Sequence, residues 1–286
     1  MTDCRLILDP PAAGAWNMAV DEVLWDWSGR TGCWCLRMYR WAEPTLSLGY
    51  FQTYDERWGH EASRSCSVVR RISGGGAILH DAEWTYSVAV PLGHLGGVGS
   101  QTGLDVESVS NIAATHGGCG TVSHAWLYEA VHGAIVELLA GFGVEASIQA
   151  ADHSSGPQPS PFLCFQRRSP GDVLVGAVKV AGSAQRRSHS AVLQHGSLLL
   201  AQSPAAPELP VLKEITGQDF AVESVLEGLL GRLSKRLKLN WIVGPLSQDE
   251  RYGTAQLVAD KHGAEAWVTQ RGRTGQNPLD TRPRPR

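Results

Sequence analysis

A chain of 286 residues, 43% apolar and 19% charged, holds enough material for a packed hydrophobic core and excludes a fibre or a wholly disordered segment. Its 25 Lys and Arg against 28 Asp and Glu leave a formal net charge of −3, which argues against broad nucleic-acid binding, because that needs a basic surface. No apolar run approaches the length that spans a bilayer, and the amino-terminal MTDCRLILDPP is too short and too acidic for a signal peptide, so a cytoplasmic protein without membrane contact is expected.

Taken in chain order, MTDCRLILDPP predicts an edge strand. Apolar positions at Trp16, Val20, Leu24 and Trp27 mark a helix over 13–28, with Asn17, Asp21 and Glu22 near or off its stripe. Cys33–Tyr39 and Thr45–Gly49 alternate as strands around a Glu43-Pro44 turn, an alternation that puts Cys33 and Cys35 on one face. The six cysteines form no paired CxxC set, so reduced core thiols are expected and no metal site is. Ser67–Ile72 reads as a strand entering a glycine run, with Ala77–Leu79 and Thr85–Val90 as strands leaving it. The stretch 92–120, rich in Gly, Ser, Thr and His, predicts a long surface loop or insertion. A second helix follows, with Ser123 as its cap, Leu127, Val131, Ile135 and Leu138 as its stripe, and Gly141 as its stop.

Val144–Gln149 reads as a short strand, and 150–161 as a polar loop that delivers the chain to Cys164. Strands at Asp172–Val175, Val178–Ala181 and Ala191–Leu200 surround Lys179, and helices are expected at Ala221–Leu237 and Gln248–His262. The final Gly/Pro/Arg-rich stretch reads as a disordered tail over 269–286, leaving one domain over 1–268. Strands mixed with two to four helices, without strict alternation, predict an α+β fold.

The chemistry concentrates in two blocks. Cys164 and Lys179 lie fifteen positions apart in PFLCFQRRSPGDVLVGAVKVAGSAQRR. A thiol becomes a good nucleophile when ionised, and a nearby ammonium favours the thiolate. Either residue alone reads equally as a core thiol or a solvated charge. In RRISGGGAILHD, the residues Gly74, Gly75 and Gly76 let a backbone turn tightly and bring its N–H groups to a ligand, although the pattern matches neither common nucleotide loop and also suits a plain turn. Arg70 and Arg71 point to opposite faces if strand-like, so that one enters the site while the other stays solvated. His80 reads as packing or ligand contact. Gly182, Ser183 and Ala184 after the lysine supply small side chains for close approach, and His195-Gly196-Ser197 fits an adjacent strand.

RRISGGGAILHD with Thr85-Tyr86-Ser87, and KVAGSAQRR with LQHGSLLL, resemble the two signature blocks of the lipoate/octanoate protein ligase and transferase family; NMAVDEVL and LRMYRWAEPTLSLGYFQ are similar to its amino-terminal blocks. The resemblance runs from about residue 16 to residue 200 and more weakly to 268. It implies a mixed β-sheet with flanking helices, the catalytic-domain fold shared with biotin protein ligases, and a tunnel for a medium-length acyl chain. Lys179 then lies beside the acyl carbonyl, and Arg70, the glycine run, His80, Gly182, Ser183, Ala184 and His195 belong to the substrate site. Cys164-Phe165 looks like the nucleophile segment of the cysteine octanoyltransferases, and little chain remains for an accessory ligase domain. The resemblance therefore implies transfer of octanoate from octanoyl-acyl carrier protein, through a cysteine thioester, to a lysine of a lipoyl domain. Such an acceptor is the glycine-cleavage H protein or a 2-oxoacid dehydrogenase subunit.

No cofactor is expected on that reading. The alternatives are an ATP-dependent lipoate ligase, which would add ATP and Mg, an octanoyl amidotransferase between lipoyl domains, and a non-catalytic module that binds acyl groups or lipoyl domains. Three departures from the family stand out: Gly176-Ala177-Val178 lacks a basic residue beside the lysine, 92–120 is long, and Trp84 replaces a smaller residue and is expected to shorten the tunnel.

Overall fold

The structure is a computed structural model that describes residues 1–92, 125–151 and 161–270. Apart from Leu92, the expected loop at 92–120 lies outside these residues. So do the Ser123 cap, most of the stretch before Cys164, and the chain beyond 270.

Strands β1 (Thr2–Leu8), β2 (Trp34–Tyr39), β6 (Glu83–Pro91), β7 (Ser147–Ile148), β8 (Val173–Val175), β9 (Val178–Arg187), β10 (Ala191–Leu199) and β11 (Leu239–Val243) build an eight-stranded sheet. Its order is β11-β1-β2-β6-β10-β9-β8-β7. The β11-β1 and β1-β2 pairs are parallel, and the rest are antiparallel. A second sheet, ordered β4-β3-β5, joins β3 (Thr45–Leu48), β4 (Ser67–Arg70) and β5 (Ile78–His80).

The first strand is thus not an edge. Residues 239–243 return beside it in the register Thr2↔Leu239 to Leu6↔Val243 and take the edge position. Cys33 and Cys35 do not share a face. Helix α1 (Gly14–Thr31) closes on Gly32 in the left-handed conformation (φ 73°), and the chain is extended only from Trp34, so Cys33 is exposed while Cys35 is buried.

The two faces of the large sheet differ in chemistry. Along β6, Trp84, Tyr86, Val88 and Val90 join the apolar core under α2 (Ala125–Gly141) and α4 (Val222–Leu237). The stripe Leu127, Val131, Ile135 and Leu138 is buried there, each side chain worth about 1.5–3 kcal/mol of transfer free energy. The alternate positions Thr85 and Ser87 face the opposite side, where α1 packs, together with Arg37 and Tyr39 of β2. Here α1 turns Asn17 and Asp21 inward as well as Val20 and Leu24, because polar partners wait on the sheet. The described residues carry six α-helices against the two to four helices expected. The additions include α3 (Leu212–Thr216) and α6 (Glu265–Thr269), too short to show a periodic stripe.

A carboxy-terminal segment braces α1. Helix α5 (Gln248–Leu257) opens with a capping box between Ser247 and Glu250, and Arg5 of β1 ion-pairs with Glu250 at 2.5 Å. Buried Glu22 accepts hydrogen bonds from Lys261 and His262, each at 2.8 Å. Trp267 of α6 donates to the Arg70 carbonyl at 2.9 Å, which ties this segment to the start of the glycine run. Burial pushes the Glu22 carboxyl up, but His262 and Lys261 outweigh it and hold the group at about 2, against an ordinary 4.5. A lowered carboxyl stabilises the fold above pH 4.5, and that contribution is lost as pH falls toward 2. Glu22→Gln is therefore expected to cost about 3 kcal/mol or more at pH 7. It should also flatten the acid limb in urea unfolding followed against pH. An acid limb as steep as that of the unaltered chain would reject this role.

Candidate active site

Cys164 opens a short 3-10 turn, Cys164–Gln166, after extended Leu163. Its N–H donates to the Ala77 carbonyl at 2.7 Å, and the Ala77 N–H donates to Phe162 at 3.1 Å. This bridge fastens the thiol-bearing segment to the end of the glycine run. Gly76 is needed there: a Cβ at that position would lie 2.9 Å from the Arg167 guanidinium and 3.3 Å from the Cys164 Cα. Gly75 adopts φ +95°, a conformation that favours glycine.

Lys179 enters from β9. Its ammonium lies 3.5 Å from Cys164 Sγ and 3.4 Å from the Cys164 carbonyl, ion-pairs with Asp172 at 2.9 Å and sits 5.0 Å over the Phe165 ring. The lysine folds back along its own strand, and only glycine at 182 leaves room: a Cβ would stand 2.5 Å from Lys179 Cε. Asp172 is itself fixed by the Ser169 N–H at 2.7 Å.

The electrostatics separate this thiol from the others. Burial pushes Cys35 up to about 12, and also raises Cys4 and Cys66, as it does for thiols in apolar surroundings. Burial acts on Cys164 in the same direction, but Lys179, then Arg71 and Arg167, outweigh it and draw the thiol below its ordinary value, while Asp172 partly opposes them. The arrangement suits a thiolate nucleophile.

The arginine beside the thiol is Arg71. Its guanidinium donates to the carbonyls of Ser47 (2.9 Å), Gly74 (2.7 Å) and Gly76 (2.7 Å), so the glycine run wraps around it. Arg70 points away, donating to the carbonyls of Val268 (3.0 Å), Gly49 and Gln52 (both 2.8 Å). Neither is solvated, contrary to the expectation for one of them; Arg70 is buried against the carbonyls of Gly49, Gln52 and Val268, and Arg71 inside the glycine run against β3.

A narrow cavity on the α1 side of the sheet is lined by Arg71, Ser47, Ile78, His80, Thr85 and His195 among others, and in this conformation has room for about one water. His80 Nδ1 meets the Glu83 carboxylate at 2.5 Å, and its ring stacks on Trp41 with centroids 3.9 Å apart. His195 Nδ1 meets Asp21 at 3.1 Å, and its Nε2 meets the Ser73 hydroxyl. Asp21 also accepts from Arg37 (3.0 Å), Tyr39 (2.9 Å) and Ser87 (2.8 Å), so α1 is locked to the residue that opens the glycine run. Trp84 does not narrow this cavity. It lies on the other face of β6 from Thr85, within the core under α2.

The remaining residues singled out in the sequence pair across β9 and β10: Gly182↔Ser197, Ser183↔Gly196 and Ala184↔His195. Strand β9 runs on through Gly182 to Gln185, past the end expected at Ala181. The Ser183 hydroxyl meets His132 of α2 at 2.8 Å, and His132 Nδ1 meets the Gly171 carbonyl, next to Asp172. Sequence reading assigned no role to Asp172, Arg167, Ser73 and Asp21, and of the two arginines it was Arg70, not Arg71, that the resemblance carried into the substrate site. For Asp172 a signal existed: it is the one acidic residue between Asp152 and Glu208.

Comparison with known proteins agrees with this architecture. The sequence profile of the lipoyl protein ligase A/B catalytic domain matches residues 13–224. A protein of Kyrpidia tusciae named Octanoyltransferase LipM is 32% identical, over 93% of this chain and 98% of its own. A protein of Bacillus anthracis with the same name is 26% identical, over 88% and 93%. Among solved structures, protein Ta0514 of T. acidophilum with bound lipoic acid superposes with a TM-score of 0.69 at 19% identity, covering 94% of this chain and all of that one. A lipoate-protein ligase A bound with ATP gives 0.68 at 19%, over 94% and 99%. These two structures establish the fold alone.

Proposed function

The chain belongs to the lipoyl protein ligase A/B catalytic-domain family, and from that premise we propose that it is an octanoyltransferase of protein lipoylation working through a thioester on Cys164. The observation that carries this reading is the Lys179 ammonium 3.5 Å from a thiol drawn below its ordinary value.

In the first step the Cys164 thiolate attacks the carbonyl of an octanoyl thioester, the donor thiolate leaves, and octanoyl-Cys164 forms. Octanoyl-acyl carrier protein is the donor we favour. In the second step a neutral lysine amine of a lipoyl domain attacks that carbonyl, a C–N bond forms, the C–S bond breaks, and the sulfur leaves carrying the surplus proton. Exchange between thioesters is near-balanced and conversion to an amide is downhill, so neither step needs ATP. The Cys164 N–H is committed to Ala77, so the oxyanion falls to the N–H groups of Gly75 and Gly76 and to Lys179. The cavity lined by His80, Thr85 and His195 would open to take the acyl chain.

Incubation with octanoyl-acyl carrier protein and a lipoyl domain, with ATP omitted, is expected to yield an octanoylated lipoyl domain by intact mass. Acylation that requires ATP would instead identify a ligase, and octanoyl-lipoyl domain acting as donor would identify an amidotransferase.

A further inference from the structure

Arg71 is fully buried, yet every hydrogen bond it makes ends on a neutral oxygen: the carbonyls of Ser47, Gly74 and Gly76 and the Ser47 hydroxyl. Among the described residues no carboxylate is bonded to it. Buried charges are ordinarily paired, because an uncompensated one costs several kcal/mol. Arg71 holds the Gly76 carbonyl at 2.7 Å, and the next residue, Ala77, accepts from the Cys164 N–H at 2.7 Å. The glycine run thus sets the guanidinium near Cys164, whose thiolate is the anionic charge that favours it. Burial draws the guanidinium down to about 10, which leaves it charged at neutral pH.

The charge balance around the sulfur therefore changes during turnover. From β9, Lys179 also faces the sulfur, but unlike Arg71 it keeps a carboxylate partner, Asp172 of the turn before β8, at 2.9 Å. Arg167, after the 3-10 turn, adds positive charge beside Gly76, and Arg70 adds more from behind Arg71. From α2, Tyr128 is raised to about 12, first by burial and then by Asp172 and Cys164, and burial draws His132 down, so both face the site neutral at pH 7. With a thiolate present, Arg71 has its counter-charge. Once the sulfur becomes a thioester that counter-charge is gone, and the pocket holds an uncompensated cation where the acceptor amine must arrive.

A free lysine, with a pKa of about 10.4, is neutral in only about one molecule in 2,500 at pH 7. Like charge disfavours an ammonium and favours the amine. We propose that Arg71 is a positioning residue for charge: acylation of Cys164 unmasks its guanidinium, which expels the proton of the incoming acceptor lysine to solvent and so admits it as the nucleophilic amine. The amine then forms the C–N bond, the C–S bond breaks, and the second amine proton goes to the departing Cys164 sulfur. No further base is needed, and the thiol that remains reionises beside Lys179 and Arg71. The inference rests on the octanoyl-Cys164 intermediate proposed above.

The test isolates the second step. Octanoyl-enzyme is prepared from a small octanoyl thioester, and single-turnover transfer to a lipoyl domain is followed by quenched intact mass from pH 6 to 10. In the unaltered enzyme the rate should rise with a midpoint well below that of free lysine. Arg71→Gln should transfer at least about tenfold more slowly at pH 7, with the deficit closing toward pH 10, whereas Arg71→Lys keeps the original profile. Hydroxylamine, an amine already neutral at pH 7, should cleave both octanoyl-enzymes at similar rates.

A deficit of equal size at every pH, or an equal deficit with hydroxylamine, would make Arg71 a merely structural support and overturn the proposal. If Arg71→Gln fails to fold, the unaltered enzyme still decides: a midpoint at the free-lysine value overturns the inference. The absence of any octanoyl-enzyme would remove the thioester reading itself, whereas an adduct with the wrong pH profile removes only the role of Arg71.

Discussion

Cys164→Ala is expected to lower octanoyl transfer by at least about 10⁴-fold and to leave no octanoyl adduct on the protein, because the proposed acyl intermediate forms on that sulfur. The substitution removes one sulfur from a half-buried position whose tether is its backbone N–H, which alanine keeps. Stability should therefore change by no more than about 1 kcal/mol, and loss of activity cannot be ascribed to unfolding. The contrast with the core thiols sharpens the expectation. Cys35→Ala should leave transfer within about threefold, since burial keeps that thiol protonated and it touches none of the site. Intact mass after incubation with the octanoyl donor reads both variants. A hydroxylamine-sensitive octanoyl adduct persisting on Cys164→Ala would move the nucleophile elsewhere and end this mechanism.

Lys179→Met carries the second largest effect. The ammonium is the charge chiefly responsible for drawing the Cys164 thiol down against its burial, and in the proposed mechanism it also stabilises the oxyanion. Removing one such stabilising group costs about 10²–10³ in turnover. The variant also strands the Asp172 carboxylate, buried and without its cation, beside the thiol that it opposes. Adding Asp172→Asn to Lys179→Met should therefore restore part of the lost rate, a non-additivity that a double-mutant cycle detects. The pH midpoint of Cys164 alkylation by iodoacetamide should move up in Lys179→Met and fall back in the double variant. Lys179→Arg keeps the charge, but the fold of the side chain over Gly182 has no space for a guanidinium, so its rescue should be partial. An alkylation midpoint unchanged by Lys179→Met would show that the ammonium does not govern the thiol.

The parts of the molecule that were legible from sequence share a physical basis. The α1 and α2 stripes and the strands around Lys179 follow from periodicity, which the backbone imposes within a few residues. The Cys164–Lys179 pair was within reach because only fifteen positions and the short strand β8 separate them. The strand-by-strand pairing of His195-Gly196-Ser197 with Ala184-Ser183-Gly182 follows from one tight connection between β9 and β10.

What escaped depended on surfaces meeting from far along the chain. Asp21 and His195 are 174 positions apart, and Ser73 and His195 are 122 apart, so nothing local indicates that a helix carboxylate, a strand imidazole and a loop hydroxyl form one chain of hydrogen bonds. Alternation says that Arg70 and Arg71 diverge, but which of them brings its charge to bear on the thiol is decided by where α6 and the glycine run pack against β4. The position of β1 in the sheet was hidden for the same reason, since its partner β11 returns from more than two hundred residues away. By itself the sequence determined the α+β class, the order of most of its elements and the close spacing of the Cys164 thiol and the Lys179 ammonium, because each is written in short-range spacing. Only the tertiary structure decided which charges surround that nucleophile and which of them lack a counter-ion, because burial and electrostatic balance belong to surfaces assembled from the whole chain.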